Sequence, residues 1–145
     1  LFVKSFLDPE ASGTKIHEHA AAHEVPTLVL KKSQVLVSFK VTDFTFIEEK
    51  HIHAIYEKLK ELKLRANMLQ LSAITVSLVV DTQLFKLEQL VESLKSTFEI
   101  RYNEELELLT ILKPKAAEIP ALMEGYVVLL EQTTRTTYQA VRRKK

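Results

Sequence analysis

Apolar and polar residues alternate along 35–41 and again along 74–80. A period of two places every second side chain on the same face of a β-strand. The first segment therefore predicts a strand whose buried face consists of Val35, Val37, Phe39 and Val41. The second segment predicts a strand whose buried face consists of Ile74, Val76, Leu78 and Val80.

Two other segments have apolar residues at the helical spacing of three and four positions. In the first, the apolar stripe consists of Ile52, Ile55, Leu59 and Leu62. In the second, the stripe consists of Leu84, Leu87, Val91, Leu94 and Phe98. Further strands at 64–69 and 98–102 complete the order β-α-β-β-α-β, which is that of a ferredoxin-like fold. Because each helix has one apolar stripe, we expect both helices on one face of an antiparallel sheet.

The C-terminal part predicts a second unit of the same kind, but an incomplete one. A strand at 106–112 and a short helix at 115–124, which ends at a glycine, precede a hairpin formed by 126–132 and 136–142. This is β-α-β-β without the second helix of the pattern. An unpaired sheet edge would remain, and such edges are costly to leave open.

The early strand at 27–31 is predicted to fill this edge. A first unit, 34–104, would then be inserted within a second unit composed of 26–33 and 105–145. The predicted fold class is α+β, with a ferredoxin-like βαββαβ domain nested within a second, incomplete domain.

Composition excludes several classes of function. The 145 residues carry a net charge of +1, so no strong field attracts nucleic acid or an anionic membrane. The chain has no cysteine, which excludes disulfides and thiolate chemistry. Its two glycines form no glycine-rich phosphate loop, and no apolar run approaches the roughly 20 residues that cross a bilayer. We predict no nucleic-acid partner, no membrane partner and a cytoplasmic location.

Three histidines, His17, His19 and His23, are spaced by two and four residues. A helical pair four residues apart can bind zinc, but no third ligand of suitable placement accompanies this pair. We interpret the segment as a solvated, alanine-rich linker. The sequence predicts neither a metal site nor a catalytic set in this chain.

Two other functions occur on the same fold, and the sequence disfavours both. Acylphosphatase-like chemistry requires an arginine in the first loop, and 42–49 contains none. RNA binding requires aromatic residues on the exposed sheet face. The sequence instead places Thr75, Ser77 and Val79 on that face.

Four segments resemble the regulatory region of aspartate kinases. Segment 5–16, SFLDPEASGTKI, is similar to the N-P-E-x-x-G-T-x-I pattern that closes the catalytic domain of that family. Segment 65–77, RANMLQLSAITVS, is similar to the family pattern V-D-M-V-x-T-S-E-V-S-V-S. Segments 42–47, TDFTFI, and 102–106, YNEEL, fit a branch of the family. The two longer motifs agree in order and spacing, and the resemblance covers nearly the whole chain.

The resemblance implies a tandem pair of ACT domains, the C-terminal regulatory region of an aspartate kinase. Residues 1–25 would be the tail of the amino-acid kinase catalytic domain and a linker. We expect a chain that starts at Leu1 rather than methionine to be a piece of a longer protein. The resemblance also implies three partners: a second copy that pairs through the ACT domains, an amino-acid effector, and the chain's own kinase domain.

The implied parent enzyme phosphorylates aspartate with ATP and Mg²⁺, and lysine or threonine inhibits it by binding at the ACT interface. The family's K-F-G-G-T nucleotide motif is absent from this sequence. By resemblance, this chain senses an amino acid and does not catalyse, and it needs no cofactor of its own.

The effector site implied by the resemblance lies in the loop before the first helix and in the strand after that helix. Its predicted residues are Asp43, Phe44, Thr45, Phe46, Asn67, Met68, Gln70 and Ser72. A helix N-terminus near Glu49 offers unpaired N–H groups to a carboxylate. Asp43 and the Asn67 amide oxygen are candidate acceptors for an ammonium group.

Each of these residues also has a purely structural interpretation. Asp43 or Thr45 can cap the first helix or form a turn. Phe44 and Phe46 are aromatic residues of a kind that more often packs in a core or an interface than stacks on a ligand.

Two carboxylates of the family pattern are missing from this sequence. Asn67 stands where the family has aspartate, and Ala73 stands where it has glutamate. A buried ammonium group without an anionic partner is costly. The sequence therefore leaves two functions open: an effector-sensing regulatory domain, and a structural dimerisation module that has lost effector binding.

Overall fold

The computed structural model describes residues 2–4, 6–8, 10–15, 26–43 and 45–145. The predicted linker with its three histidines lies outside the described residues. Within the described ranges, no helix is both long enough and apolar enough to cross a membrane.

The described residues form eight strands, three α-helices and one 3₁₀ turn. In chain order these are β1 (Phe2–Val3), β2 (Thr14–Lys15), β3 (Thr27–Val41), α1 (Glu49–Glu61), β4 (Ala66–Leu71), β5 (Thr75–Asp81), α2 (Leu84–Leu94), β6 (Phe98–Leu112), the 3₁₀ turn (Ala116–Glu118), α3 (Ile119–Met123), β7 (Tyr126–Thr133) and β8 (Thr137–Lys144). The short strands β1 and β2 pair with each other and, within the part of the chain that the structure describes, with no other strand.

The remaining strands form one six-stranded antiparallel sheet in the order β4-β5-β3-β6-β8-β7. Its first four strands, with α1 and α2 between them, have the order of a ferredoxin-like unit, as predicted. Both helices cover one face of this half of the sheet. The core residues with no exposed surface are Val35, Val37, Phe39, Ile55, Val76, Leu78 and Leu90.

Two residues that the sequence predicted to be buried are exposed. Ile74 lies in the turn before β5 and is exposed, and Leu84, the first residue of α2, is also exposed. Leu90 fills the core position in α2 instead. The buried stripe of α2 therefore starts at Leu87, one turn later than the sequence spacing suggested.

Two long strands, β3 and β6, replace the four short strands that the sequence predicted. Each has 15 residues and runs through both halves of the sheet. The pairing register shifts near Ser33, where φ is +54°, and Glu105 has a φ of +56°. The Ser33 carbonyl accepts hydrogen bonds from the backbone N–H and the side chain of Thr82, which hold this bulge in place.

The second half of the sheet contains the end of β6 together with β7 and β8. Residues 27–31 of β3 pair with 108–112 of β6, so the early strand lies at the position that the nested arrangement requires. Among the described residues, α3 is the one helix that packs on this half, and the core cluster of this half is smaller. Leu28 and Leu30 remain 50% and 43% exposed where a second helix would lie in a complete unit.

On the face opposite the helices, apolar side chains from both halves form one cluster. The buried members of this cluster are Leu36, Met68, Val79, Leu106, Leu108 and Val141. All of these residues belong to strands, so each half of the sheet covers part of the other on this face. The placement of Val79 on an exposed face was therefore wrong, since its side chain is fully buried.

Candidate functional site

The loop that precedes α1 is anchored to the turn between β4 and β5. The Ile47 N–H donates to the Ala73 carbonyl at 2.7 Å, and the Val41 N–H donates to the Ile74 carbonyl at 3.2 Å. These bonds hold the loop residues Asp43, Thr45 and Phe46 at the same end of the sheet as Ser72. We refer to this region, 42–50 together with 72–74, as the loop–helix corner.

Asp43 forms a tight turn with Thr45. One carboxylate oxygen, Oδ1, accepts from the Thr45 backbone N–H at 3.2 Å and from the Thr45 hydroxyl at 2.5 Å. The hydroxyl bond, followed by the backbone bond, lowers the pKa of Asp43 below its usual 3.8. Asp43 is thus an ionised turn residue at the corner.

Helix α1 is capped by a residue that the sequence analysis did not single out. The helix begins at Glu49, so neither Asp43 nor Thr45 caps it. Instead, the Nδ1 atom of His51 accepts a hydrogen bond from the Glu48 N–H at 2.9 Å. The ring is buried and packs edge-on against Phe98, at a centroid distance of 5.8 Å. A histidine three positions after the N-cap was the only sequence signal for this role.

Charges at the start of α1 largely neutralise one another. The Lys50 ammonium lies 3.0 Å from a Glu48 carboxylate oxygen, and this hydrogen bond raises the pKa of Lys50 above its usual 10.5. An open surface depression of about 620 Å³ adjoins these residues and is also lined by Ile47 and Ile52. An amino-acid carboxylate would meet helix N–H groups here, beside acidic side chains.

The other predicted residues at the loop–helix corner differ in whether their side chains are free to contact a ligand. Phe46 is 70% exposed, so its ring is open to a ligand or a partner. The Ser72 hydroxyl accepts from the Thr75 N–H at 3.0 Å and is engaged in the turn between β4 and β5. Phe44 lies outside the described residues.

The remaining predicted residues lie along β4, away from the corner. Asn67 is near the start of β4, five residues before Ser72, which corresponds to about 16 Å along an extended strand. Met68 is buried in the cluster that joins the two halves of the sheet, and Gln70 is half-buried opposite Ser77. Within one chain, the structure therefore does not bring Asn67 next to Asp43.

Asn67 belongs instead to a polar cluster at the other end of the first half. Its amide nitrogen donates to Gln34 Oε1 at 2.8 Å and to Asp81 Oδ1 at 2.9 Å. Its amide oxygen, the predicted acceptor for an effector ammonium, accepts from the Lys31 ammonium at 2.8 Å. Lys31 also lies 3.8 Å from the Asp81 carboxylate.

The hydrogen bond from the amide of the fully buried Gln34 is the largest influence on Asp81 and lowers its pKa. Burial opposes this shift, and the hydrogen bond from Asn67 adds to it. The side chain of Lys31 thus occupies a position in this cluster that is chemically suited to an ammonium group.

Several solved structures have the same fold. The chain matches E. coli aspartokinase III in complex with lysine and aspartate, with a TM-score of 0.73 at 18% identity, over 97% of this chain and 34% of that chain. It matches a C-terminal regulatory domain of aspartate kinase from Porphyromonas gingivalis, with a TM-score of 0.65 at 13% identity, over 82% of this chain and 86% of that chain. It also matches the ligand-free regulatory subunit of aspartate kinase from Thermus thermophilus, with a TM-score of 0.58 at 14% identity, over 79% and 85%.

Comparisons by sequence found no match. No family model matches the chain, and no curated protein matches it. At the identities of the structural matches, similarity establishes the fold and not the activity. The chain spans about a third of the E. coli enzyme but covers most of the two isolated regulatory domains. The predicted fold class is confirmed: the chain has the α+β, ferredoxin-like fold of the regulatory (ACT) domains of aspartate kinases.

Proposed function

We propose that this chain is the amino-acid-sensing regulatory region of an aspartate kinase. In this proposal it pairs with a second copy through its ACT domains and binds an end-product amino acid, lysine or threonine. Binding inhibits a kinase domain in the parent protein, which phosphorylates aspartate with ATP and Mg²⁺ in the cytoplasm. The chain itself is not an enzyme.

The nesting of the two halves of the sheet carries this proposal. Residues 27–31 pair beside 108–112, so the second half is completed by a strand that precedes the first half in the sequence. This arrangement, together with the match over 86% of an isolated aspartate kinase regulatory domain, is more specific than a single ferredoxin-like unit.

The edge position of β4 supports the involvement of a second copy. β4 is the outermost strand on its side of the sheet, and such an edge is a template for pairing with another strand. Antiparallel pairing of β4 with its counterpart would place the start of one strand next to the end of the other. Asn67 of one copy would then approach Ser72 and the loop–helix corner of the other, so that two incomplete sets of predicted residues form one site.

A structural dimerisation module without an effector is the second candidate. The hydrogen bonding of the polar cluster favours it, because the Asn67 amide oxygen already accepts the Lys31 ammonium of the same chain. Asp43 and Ser72 are likewise engaged in local turns. In this case the chain would pair with itself and bind no amino acid.

Calorimetric titration of the chain with lysine, threonine and methionine, combined with analytical ultracentrifugation, tests the proposal. A regulatory region is expected to be a dimer that binds one of these amino acids. Asp43→Asn should weaken that binding by about tenfold, because a charged hydrogen bond to an ammonium group is lost. Glu92→Gln, which removes an exposed carboxylate from α2, is the matched control and should have no effect.

The two candidates give different results. A dimer that none of these amino acids binds or stabilises against heating supports the structural module. A monomer that binds no amino acid contradicts both.

A further inference from the structure

A cleft of about 440 Å³ lies between the start of β4 and the face of the second half of the sheet that is opposite α3. Residues 65–67 form one wall, and side chains from β3, β6 and β8 form the opposite wall. This volume is within the range of small-molecule sites in proteins, about 300–1,000 Å³. The cleft is at the opposite end of β4 from the loop–helix corner, and it does not depend on the function proposed above.

The base of the cleft is apolar. Val29, Leu108 and Leu112 line it, and neighbouring strands hold them side by side because Val29 pairs with Thr110 in the β3–β6 ladder. Leu108 is buried, whereas Val29 and Leu112 are 47% and 45% exposed. A ligand with an aliphatic chain would remove this apolar surface from water, which is favourable in proportion to the area covered.

Two cations border this apolar base, and only one of them is engaged. The Lys31 ammonium donates to the Asn67 amide oxygen and lies 3.8 Å from Asp81. Arg65, which is exposed, makes no hydrogen bond or ion pair within the described ranges and influences Asp81 only through its charge. A guanidinium group presents a planar pair of donors that matches a carboxylate.

The far wall carries polar groups that are suited to orienting a ligand. The Gln139 amide nitrogen donates to the Thr110 hydroxyl at 3.1 Å, and both side chains line the cleft. This bond leaves the second Gln139 amide proton and the Gln139 carbonyl oxygen for a ligand. The cleft thus has an apolar base, a cationic side and a wall with a hydrogen-bond donor and acceptor.

We propose that this cleft binds a small aliphatic carboxylate, either a free carboxylic acid or an apolar α-amino acid. The carboxylate pairs with the Arg65 guanidinium, and the aliphatic chain lies on Val29, Leu108 and Leu112. Because the ligand contacts β4 on one side and β6 and β8 on the other, its binding stabilises the junction between the two halves of the sheet.

The experiment uses the whole chain and three probes that share one carbon skeleton. Isocaproate has the branched chain and a carboxylate, L-leucine adds an ammonium group, and L-leucinamide lacks the carboxylate. Binding is measured by calorimetry and located by methyl NMR of the leucine and valine side chains. We expect isocaproate or leucine to bind and to shift the signals of Val29 and Leu112, and leucinamide to bind at least about tenfold more weakly. The stronger of the two carboxylate probes identifies the source of the ligand.

Three variants test the assignment to residues. Arg65→Gln should weaken binding about tenfold or more, because the charged pair is lost. Leu112→Glu should abolish binding, since its own carboxylate would reach the cationic side of the cleft. Arg101→Gln is the matched control, because Arg101 lies on the first half of the sheet in an ion pair with Glu99, and this variant should bind as the parent does.

Three results would overturn the proposal. One is the absence of binding by isocaproate and leucine up to about 10 mM, which is beyond the range of a specific site. Another is equal binding of leucine and leucinamide, which would show that no carboxylate is recognised. The third is unchanged binding by Arg65→Gln while its thermal unfolding matches that of the parent chain.

Discussion

The two halves of the sheet differ in how they are covered. Two amphipathic helices pack on the first half, and its core contains many side chains with no exposed surface. The second half is covered by α3, which has five residues and none fully buried. It leaves Leu28 and Leu30 exposed.

The second half also contains charge in its interior. Arg142 is buried, with its guanidinium 3.7 Å from a Glu107 carboxylate oxygen and 3.7 Å from the centre of the Tyr126 ring. One of its nitrogens donates to the Leu122 carbonyl in α3. The first half therefore has a large apolar core beneath two helices, whereas the second half combines a smaller apolar cluster with a buried ion pair.

The largest expected effect lies in the helix-backed half. Phe39 is fully buried and packs edge-to-face on Phe98 at 5.8 Å. Phe39→Ala should lower the free energy of unfolding by about 4 kcal/mol, because it leaves a cavity in a close-packed core. Urea denaturation followed by circular dichroism measures this loss. Phe85→Ala, at a phenylalanine that is 74% exposed on α2, is the control and should change little.

The second-largest effect on the free energy of unfolding is expected for the ion pair of the second half. Arg142→Met is expected to cost about 3 kcal/mol, because it leaves the Glu107 carboxylate buried without a partner. The double variant Arg142→Met with Glu107→Leu should recover most of this loss, as it removes both charges. If the single and double variants unfold at the same urea concentration, the loss does not come from an unpaired Glu107 carboxylate.

A smaller effect is expected at the junction between the halves, where Asp81 accepts hydrogen bonds from Gln34 and Asn67. These bonds lower the pKa of Asp81 below 3.8. A depressed pKa in the folded state adds stability that is present above the unfolded pKa and is lost as the pH falls through the folded value.

Because the Asp81 side chain is 50% exposed and solvent screens its interactions, Asp81→Asn should cost less than about 1 kcal/mol at neutral pH. It should also make the loss of stability below about pH 5 less steep. Thermal unfolding across this range measures both effects. An unchanged acid profile would show that Asp81 does not link stability to pH.

The smallest effect is expected at Leu30, on the face of the second half where α3 packs. Leu30→Ser should change the unfolding free energy by less than about 0.5 kcal/mol, since Leu30 is 43% exposed and lies outside the buried core clusters. Leu109→Ser, at its buried register partner, should be far more destabilising. A large loss for Leu30→Ser would mean that this face is covered in solution, and the contrast between the halves would then disappear.

The sequence predicted the first half well for a physical reason. Helices on one face of a sheet impose a strict period of two on the strands, which Val35, Val37 and Phe39 display. The long strands were not predicted because 31–33 is polar and reads as a break between elements. The structure includes this segment as a bulge, held by hydrogen bonds from Thr82 that no local pattern reveals.

The candidate site was predictable only in part. The sequence could predict that Asp43 lies near Ser72. The end of β3 and the turn after β4 lie at the same end of the sheet when the strands have the ferredoxin-like order. The hydrogen bond between Lys31 and Asn67 joins residues 36 positions apart and depends on the side chains on either side of the bulge. The role of His51 was missed because the sequence does not distinguish a buried histidine that caps a helix from a histidine exposed to solvent.

The continuity of β3 and β6 restricts how the two halves of the sheet can move relative to each other. Both backbones cross from one half to the other without a linker, at points marked by Ser33 and Glu105. Rigid-body swinging, the usual motion of tandem domains, would break the hydrogen-bond ladder that the halves share. A change of sheet twist about these two residues keeps the ladder intact, and it would couple the two halves as torsion along two continuous strands.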